Sequence, residues 1–518
     1  MRQPLFVVLF ILVGVTASVH GQERFLFSSP LVYPDPVPGR FRLSQHVAGP
    51  WLLWIDATSN SAVNPTYEMK IFRGRDGAEP ELLTEARGTG GSIGIKLTDS
   101  GLALICLHGT ATLYPVDGEP YQPTALNEGV FLVKPVHFDN DTLVATRNHH
   151  RLGNGMKDLL QFDLSSDTPL KAITAVSWAP RPHNFVFDDG NMAWLQRSTK
   201  VLEPLLYVAL QDQSTRQIPL TCALTLTLDG LYDNWLLLHE GDLVRLLDLE
   251  TDRELQIRMP GQVEFVHPRG IFWRADRHRS KANYTRLVWW DVATGTRRII
   301  LVPRLPKHFP LLHRLEADRL VLLNRREFSV VELDEEPKPL GKEDMEDAAE
   351  RLKFVCQFPL QTATMSQNLH WPRAAETIEF LAELVATHED PNAARQAWYL
   401  LGESSDPAAR RILLEQLQRT DGWHDWRSIA GVLRRFGTPE DAMTIIACEP
   451  PAGVVEEVAE TLGILGNAKC IPWLESKREL HIRNRRQAER TAASIKRALR
   501  LIKDREEAID VLIRLREP

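Results

Sequence analysis

Cysteine is scarce. Cys106, Cys222, Cys356, Cys448 and Cys470 are the only five in a chain of 518 residues. Their odd number and wide spacing exclude a small secreted fold built on a disulfide framework. Some stand inside apolar runs, as in Leu104-Ile105-Cys106-Leu107, and read mainly as small buried apolar side chains, with room for one bridge whose partners the sequence does not choose. Excess positive charge is also lacking. The net charge of −7 speaks against a chain devoted to nucleic acid. There is no His-Glu-x-x-His pair and no phosphate loop ending in Gly-Lys-Ser/Thr. No metal site and no cofactor is expected. Past the first residues no apolar run reaches the roughly 20 residues that a membrane span needs.

What is present begins with a targeting plan. Arg2 precedes an apolar run from Leu5 to Val19, and Val19-His20-Gly21 places small residues before a cut at Gln22, so residues 1–21 read as a signal peptide. The mature chain is expected to be secreted or periplasmic. Apolar residues make up 43% and charged residues 25%, an ordinary globular balance. At ~100–200 residues per domain, the length fits two to four units.

From about residue 45 to 340 one pattern returns every ~35–45 residues: an apolar strand, a polar loop, a second strand often ending in Asp, then a turn and a further strand. Trp51–Asp56 leads to Glu68–Phe72, and Thr142–Thr146 to Leu159–Asp163. Met192–Leu195 leads to Leu205–Leu210, Trp235–Leu238 to Val244–Asp248, and Ile271–Trp273 to Leu287–Asp291. Weaker copies lie at Leu102–Cys106 with Ala111–Tyr114, and at Leu320–Leu323 with Ser329–Leu333. A fourth strand precedes each pair, as at Val263–Val266. Turns such as Asp291-Val292-Ala293-Thr294-Gly295-Thr296 close the hairpins.

On this pattern, and on the single Trp290-Asp291 dipeptide, residues 45–340 resemble the TolB-like and WD-repeat-like β-propellers. The resemblance implies a seven-bladed β-propeller, and by itself no particular function. Residues 22–44 form a lead-in.

After Lys342 the period changes. Residues 341–374 read as a linker and first helix. In residues 375–518, Asp390-Pro391, Asp406-Pro407 and Thr438-Pro439-Glu440-Asp441 mark helix starts. Gly402, Gly437 and Gly466 fall at helix ends, where a left-handed stop is expected. Ala488, Ala492, Ile495, Leu499 and Ile502 mark the apolar face of a last long helix. These units resemble HEAT-type or phycobilisome-lyase-type helical repeats, which implies a short α-solenoid whose first helices lean on the propeller. The expected fold is multidomain, β then α.

Candidate chemistry is thin. Gly90-Gly91-Ser92-Ile93-Gly94 has the spacing of a nucleophile elbow, but the residues after it read as a strand, so no catalytic residue is assigned. His137, His149 and His150 lie near Asp139 and Asp141 in no compact metal-ligand spacing. His149 and His150 are kept as candidate binding residues on a surface loop. Arg274, Arg277, His278, Arg279 and Lys281 form a basic loop suited to an anionic group. Arg483, Arg486, Arg490 and Arg497 give the last helix a basic face suited to an acidic partner or an anionic surface. Asn140-Asp141-Thr142 and Asn283-Tyr284-Thr285 are glycosylation sequons. Thirteen tryptophans, several inside apolar strands, read mostly as core.

The connections between second and third strands are longest at residues 58–67, 148–157, 197–204 and 276–284, and they emerge on one face. That face and the helical repeats are expected to bind a protein or glycan partner outside the cytoplasm. The alternative is a hydrolase or lyase with its site in the central channel.

Overall fold

The computed structural model describes residues 24–339 apart from connecting segments, of which 31–39, 124–131, 149–156, 177–184, 275–283 and 304–311 are the longest. It also describes short pieces at 381–382, 397–398 and 401–402, and residues 407–516 apart from 421 and 479–484.

Among the described residues the β region forms seven sheets, taken up one after another along the chain. The first spans 41–88, the second 93–114, the third 132–176, the fourth 185–218, the fifth 227–258, the sixth 262–303 and the seventh 312–332. Within each, consecutive strands pair antiparallel. All seven sequence copies are second and third strands of these sheets, and Gln262–His267 is the strand preceding the pair at Ile271. The first strand of each sheet lies against the first strand of the next, from Phe41–Ala48 through to Leu312–Glu316. The general fold is therefore of the β-propeller type.

Strand alternation explains the unbroken apolar runs. In the second sheet, Ala103 and Ile105 pack against Leu53 and Ile71 of the first. Leu104 and Cys106, pointing the other way, pack against Leu143 and Phe162 of the third. Leu236 and Leu238 of the fifth sheet face the fourth, while Leu237 faces the sixth. The second and fifth sheets are thus buried on both faces, so their central strands Ala103–Leu107 and Trp235–Leu238 carry unbroken apolar runs rather than an apolar residue at every second position.

The residues read as a lead-in are part of this array. Ser29–Pro30 pairs antiparallel with Val330 and Ser329 of the seventh sheet. Arg24–Phe27 adds to the sixth, parallel to Arg297–Pro303, and also pairs with Lys338–Pro339. Residues 24–27 and 29–30 are thereby joined to the sixth and seventh sheets.

Among the described residues, besides helical pieces at 381–382, 397–398 and 401–402, six α-helices follow: α1 (Pro407–Arg419), α2 (Trp423–Phe436), α3 (Pro439–Ala447), α4 (Val455–Leu465), α5 (Ile471–Ser476) and α6 (Arg485–Arg516). They share one core, which also takes in Ala397, Trp398 and Leu401. The start read at Thr438 is a capping box: the Thr438 N–H donates to the Asp441 carboxylate at 2.7 Å.

Two expectations are corrected. Gly437 and Gly466 do end α2 and α4, but in extended backbone (φ −74° and −67°), not the left-handed region. Glycine is required there for space: a Cβ would lie 2.6 Å from the Leu433 carbonyl oxygen at Gly437, and 2.6 Å from that of Leu462 at Gly466. The apolar face of α6 is also rotated. Ala492 is exposed, and Ile495, Ala498, Leu499, Leu501 and Ile502 are buried. The expected lean of the first helices on the propeller falls largely on residues outside the described ones; among the described residues the end of α2 touches the sixth sheet through Arg297, and α6 makes the broadest contact with the β region.

That contact divides α6 in two. Its first half packs against α4, where Gly463 lets Ala498 approach closely. Its last three turns put Ala508, Val511 and Leu512 into the core between the fifth and sixth sheets. Ion pairs from Arg253 to Glu507 and from Arg516 to Asp291 flank this seam. Arg297, on the sixth sheet, lies against the rings of Trp273 and Trp290 and donates to the Gly437 carbonyl at 2.9 Å. Burial lowers its pKa to about 10, with the Glu440 carboxylate opposing that shift. Arg297→Met keeps the apolar stem but leaves that C-terminal carbonyl of α2 without its donor. We expect the junction to lose about 1.5–3 kcal/mol. Hydrogen exchange of amides in 505–516 should then quicken by roughly tenfold or more.

Candidate functional site

A cleft of about 170 Å³ opens where the fifth sheet meets the helices. Three elements build it. The first is the sheet edge. Gly241 adopts a left-handed φ of +61° and turns the chain at Asp242. Two backbone bonds, Met259 N–H to the Asp242 oxygen and Val263 N–H to the Gly241 oxygen, both 2.7 Å, pin the Arg258-Met259-Pro260 connector beside that turn. The second is the end of α2, with Arg434 and Arg435 in its last turn, where cations complement the helix dipole. The third is the facing pair α4 and α6. Glu460, Gly463 and Ile464 come from α4. Ser494, Arg497, Ala498 and Leu501 come from α6, at steps of three and four that place them on one stripe.

Charges of both signs line the cleft. Four guanidinium groups (Arg258, Arg434, Arg435, Arg497) meet two carboxylates. Arg258 pairs with Asp242 at 3.0 Å and Arg434 with Glu460 at 2.6 Å. The buried Ser494 hydroxyl and the apolar Met259, Ala498 and Leu501 complete the wall.

A second polar cluster lies inside the fifth and sixth sheets, at matching positions. Asp229 and Glu264 each occupy a register shift in the first strand of their sheet. His239 stands opposite Thr227 in the fifth sheet, and Arg274 opposite Gln262 in the sixth. His239 Nδ1 lies 2.7 Å from Asp229 Oδ2, with both side chains buried, and Arg274 is 2.7 Å from Glu264. Burial by itself would lower the His239 pKa. The charge and hydrogen bond of Asp229, helped by the Glu264 charge, outweigh it and raise the pKa above the usual value. Because the folded state holds the proton more tightly, the stabilisation is fully present below the unfolded pKa of about 6.5 and is lost as pH rises through the folded value. The wild type should therefore exceed His239→Asn in thermal midpoint by more at pH 5.5 than at pH 8.5.

His267 nearby moves the opposite way. Burial, with the Arg269 charge, depresses its pKa to about 4, and its neutral Nδ1 accepts the Arg269 N–H at 3.1 Å.

The expected binding residues separate. Arg274 is turned inward onto Glu264, so its charge is matched inside the sheet rather than offered on a loop. Arg277, His278, Arg279, Lys281, His149, His150 and Arg483 lie outside the described residues, as does Ser92; the residues after Ser92 form the strand Ile93–Leu97. Arg486 and Arg490 are exposed along α6, and only Arg497 of that series reaches the cleft. His137 packs on the Phe187 ring at 4.5 Å between centroids. Among the described residues no group of three or more His, Cys, Asp or Glu side chains is placed to hold a metal, and Cys106, Cys448 and Cys470 are free thiols. Arg258, Arg434 and Arg435 were missed by sequence reasoning. The Arg434-Arg435 doublet just before Gly437 was the one visible signal.

No helix among the described residues is long and apolar enough to cross a membrane. No protein-family model matches the chain, and no curated protein matches it. Among solved structures, the chain is similar over 58% of its length to 98% of the β-propeller domain of the Trilobed protease from Pyrococcus furiosus (12% identity, TM-score 0.36). It is similar over 60% of its length to 99% of the AfRom2 CNH domain (11% identity, TM-score 0.35). Over 54% of its length it is similar to 99% of virginiamycin B lyase from Staphylococcus aureus (6% identity, TM-score 0.32).

Proposed function

We propose that this chain is an exported interaction scaffold. In this reading the seven sheets close as the blades of a propeller, and one propeller face and HEAT-like helical repeats together hold a protein or glycan partner outside the cytoplasm. The observation that carries it is the junction. A shared apolar core, the Arg297 bond to the end of α2 and two flanking ion pairs fix the helices to the fifth and sixth sheets. Two surfaces held at a constant angle can grip one large partner without the ordering cost that a flexible linker imposes. The ring closure is supported by the Ser29–Pro30 strand, which precedes the first sheet in sequence and pairs with the seventh. The N-terminal apolar run supports export.

Shortening the connections at 58–67, 148–157, 197–204 and 276–284 together should abolish capture of the partner from the native envelope fraction, with circular dichroism unchanged. Full retention of the partner by the folded variant would reject this face.

The alternative, a hydrolase or lyase site in the central channel, is favoured by one observation: the buried Asp229–His239 pair beside Glu264–Arg274. His239→Asn separates the two readings. A scaffold keeps its partner unchanged, whereas an enzyme keeps the partner and ceases to alter it chemically.

A further inference from the structure

We infer that the exposed side of α6 between Arg490 and Lys503 is a docking surface for a linear acidic polysaccharide. This rests on the reading of an exported scaffold, and it specifies the chemistry of the glycan and the helix that holds it.

The helix period creates this side. Ile495, Ala498, Leu499, Leu501 and Ile502 are buried. At about 100° per residue they fill one half of the helix and leave Arg490, Ala493, Lys496, Arg497, Arg500 and Lys503 on the other. All six are exposed, and all but Ala493 are cations. Glu489 and Asp504 share this side, and Arg500 pairs with Asp504 at 3.3 Å. Arg490 stands within reach of the Glu456 charge on α4. Lys496, Arg497 and Lys503 form no ion pair among the described residues. The side is therefore positive after its own acids are counted.

Its chemistry selects the occupant. Between Arg486 and Lys503 the exposed positions carry no aromatic and no large apolar side chain, only Ala492 and Ala493 among the cations and Glu489. A protein partner gains most of its affinity from buried aromatic or aliphatic anchors, and this side offers none. A bilayer holds a helix through apolar side chains that enter it, and these too are missing. A polyanion needs only a row of cations. From Lys496 onward a cation recurs at each turn, a rise of about 5.4 Å, close to the length of one sugar unit in an extended chain. Arg497 and Arg500 can fork onto carboxylates, and Lys496 and Lys503 supply mobile point charges.

The row is also fixed in space. The opposite side of this half of α6 packs on α4, and Arg505 ties the two helices together through the Gly463 and Gly466 carbonyls. The backbone under the cations is thus already ordered, and binding costs only the freedom of their side chains.

The test is titration of the full chain with polygalacturonate at neutral pH and low salt, with dextran as the neutral polymer and phosphatidylglycerol vesicles as the anionic membrane. Polygalacturonate is expected to bind and dextran not to. Salt at about 1 M, where the screening length is ~3 Å, should abolish the binding. Lys496→Glu, Arg497→Glu and Lys503→Glu together, all at exposed positions, should weaken it by roughly a hundredfold with circular dichroism unchanged. Arg411→Glu, Arg419→Glu and Lys469→Glu together change the net charge equally at exposed positions off α6 and should leave binding within about twofold. The variant with shortened propeller connections should bind polygalacturonate like the wild type, so the two readings stand or fall separately. No binding of polygalacturonate, full retention by the α6 variant, or an equal loss in the control variant would each overturn the surface. Tighter binding to the vesicles than to polygalacturonate at equal anion concentration would also overturn it, by assigning this side to a membrane.

Discussion

Replacing Arg73 with Met is expected to open the joint between the first and second sheets, at a cost of about 3–5 kcal/mol. Arg73 is only 1% exposed. Its guanidinium donates to the carbonyls of Gly101 at 2.9 Å, Tyr114 at 2.7 Å and Pro115 at 2.9 Å, and to the Glu81 carboxylate at 2.7 Å. Met fills much of the same volume and supplies none of these donors. Up to three carbonyls are then left in an apolar seam, each costing ~1–3 kcal/mol unless water reaches it. The loss should not spread evenly. Gly101 itself is held at φ +89° with no room for a Cβ, which would lie 2.4 Å from the Trp51 ring, so this turn packs closely against the first sheet. Hydrogen exchange should show protection falling by roughly a hundredfold or more in strands 67–75 and 103–114, since each ~1.4 kcal/mol is tenfold. Strands of the fourth and fifth sheets should change little. An Arg73→Met protein with unchanged protection in these strands would show that the guanidinium bonds contribute nothing net.

The second large effect is expected at Arg505. This side chain lies buried between α6 and the end of α4, donating to Gly463 at 2.7 Å and Gly466 at 2.8 Å. Both acceptors belong to the last turn and cap of α4, where carbonyls have no partner within the helix. Burial presses the Arg505 pKa down to about 10, yet at neutral pH the group remains charged, held by those carbonyls and the negative end of the helix. Arg505→Met removes the cation and strands two carbonyls, for an expected loss of about 3 kcal/mol. Exchange in 455–466 should accelerate by roughly a hundredfold. Arg500 supplies the contrast: it is 61% exposed and pairs with Asp504 one turn on at 3.3 Å. Arg500→Met should change stability by less than about 0.5 kcal/mol. If the two substitutions cost the same, burial is not what makes Arg505 matter.

These two arginines mark where sequence reading stopped. The strand pairs were legible because the cause is local. Leu236-Leu237-Leu238 is apolar at every position, since one face meets the fourth sheet and the other the sixth. A half-solvated strand would have alternated. The helix start at Thr438 was legible for the same reason, as its capping partner Asp441 lies three residues away. The stops at Gly437 and Gly466 were found on a wrong ground. The glycine was visible, but whether it serves φ or space depends on neighbours such as Leu465 and Cys470. Arg274 was read with its basic neighbours as a loop suited to an anionic group, whereas the carboxylate it meets, Glu264, sits on the adjacent strand.

By itself the sequence determined the β-then-α order, the sevenfold return of the strand pairs and some helix boundaries, such as the starts at Pro407 and Pro439 and the ends before Gly437 and Gly466. Each of these follows from backbone preference and side-chain direction within a few residues. Only the tertiary structure decided what the buried and half-buried arginines do. Arg73 finds Gly101 28 residues away, and Arg297 finds Gly437 140 residues away. A guanidinium carries the same charge and reach on a solvated face as in a buried joint. Its partner is chosen by which carbonyls the packing leaves without donors, and that is settled only when the sheets and helices have come together.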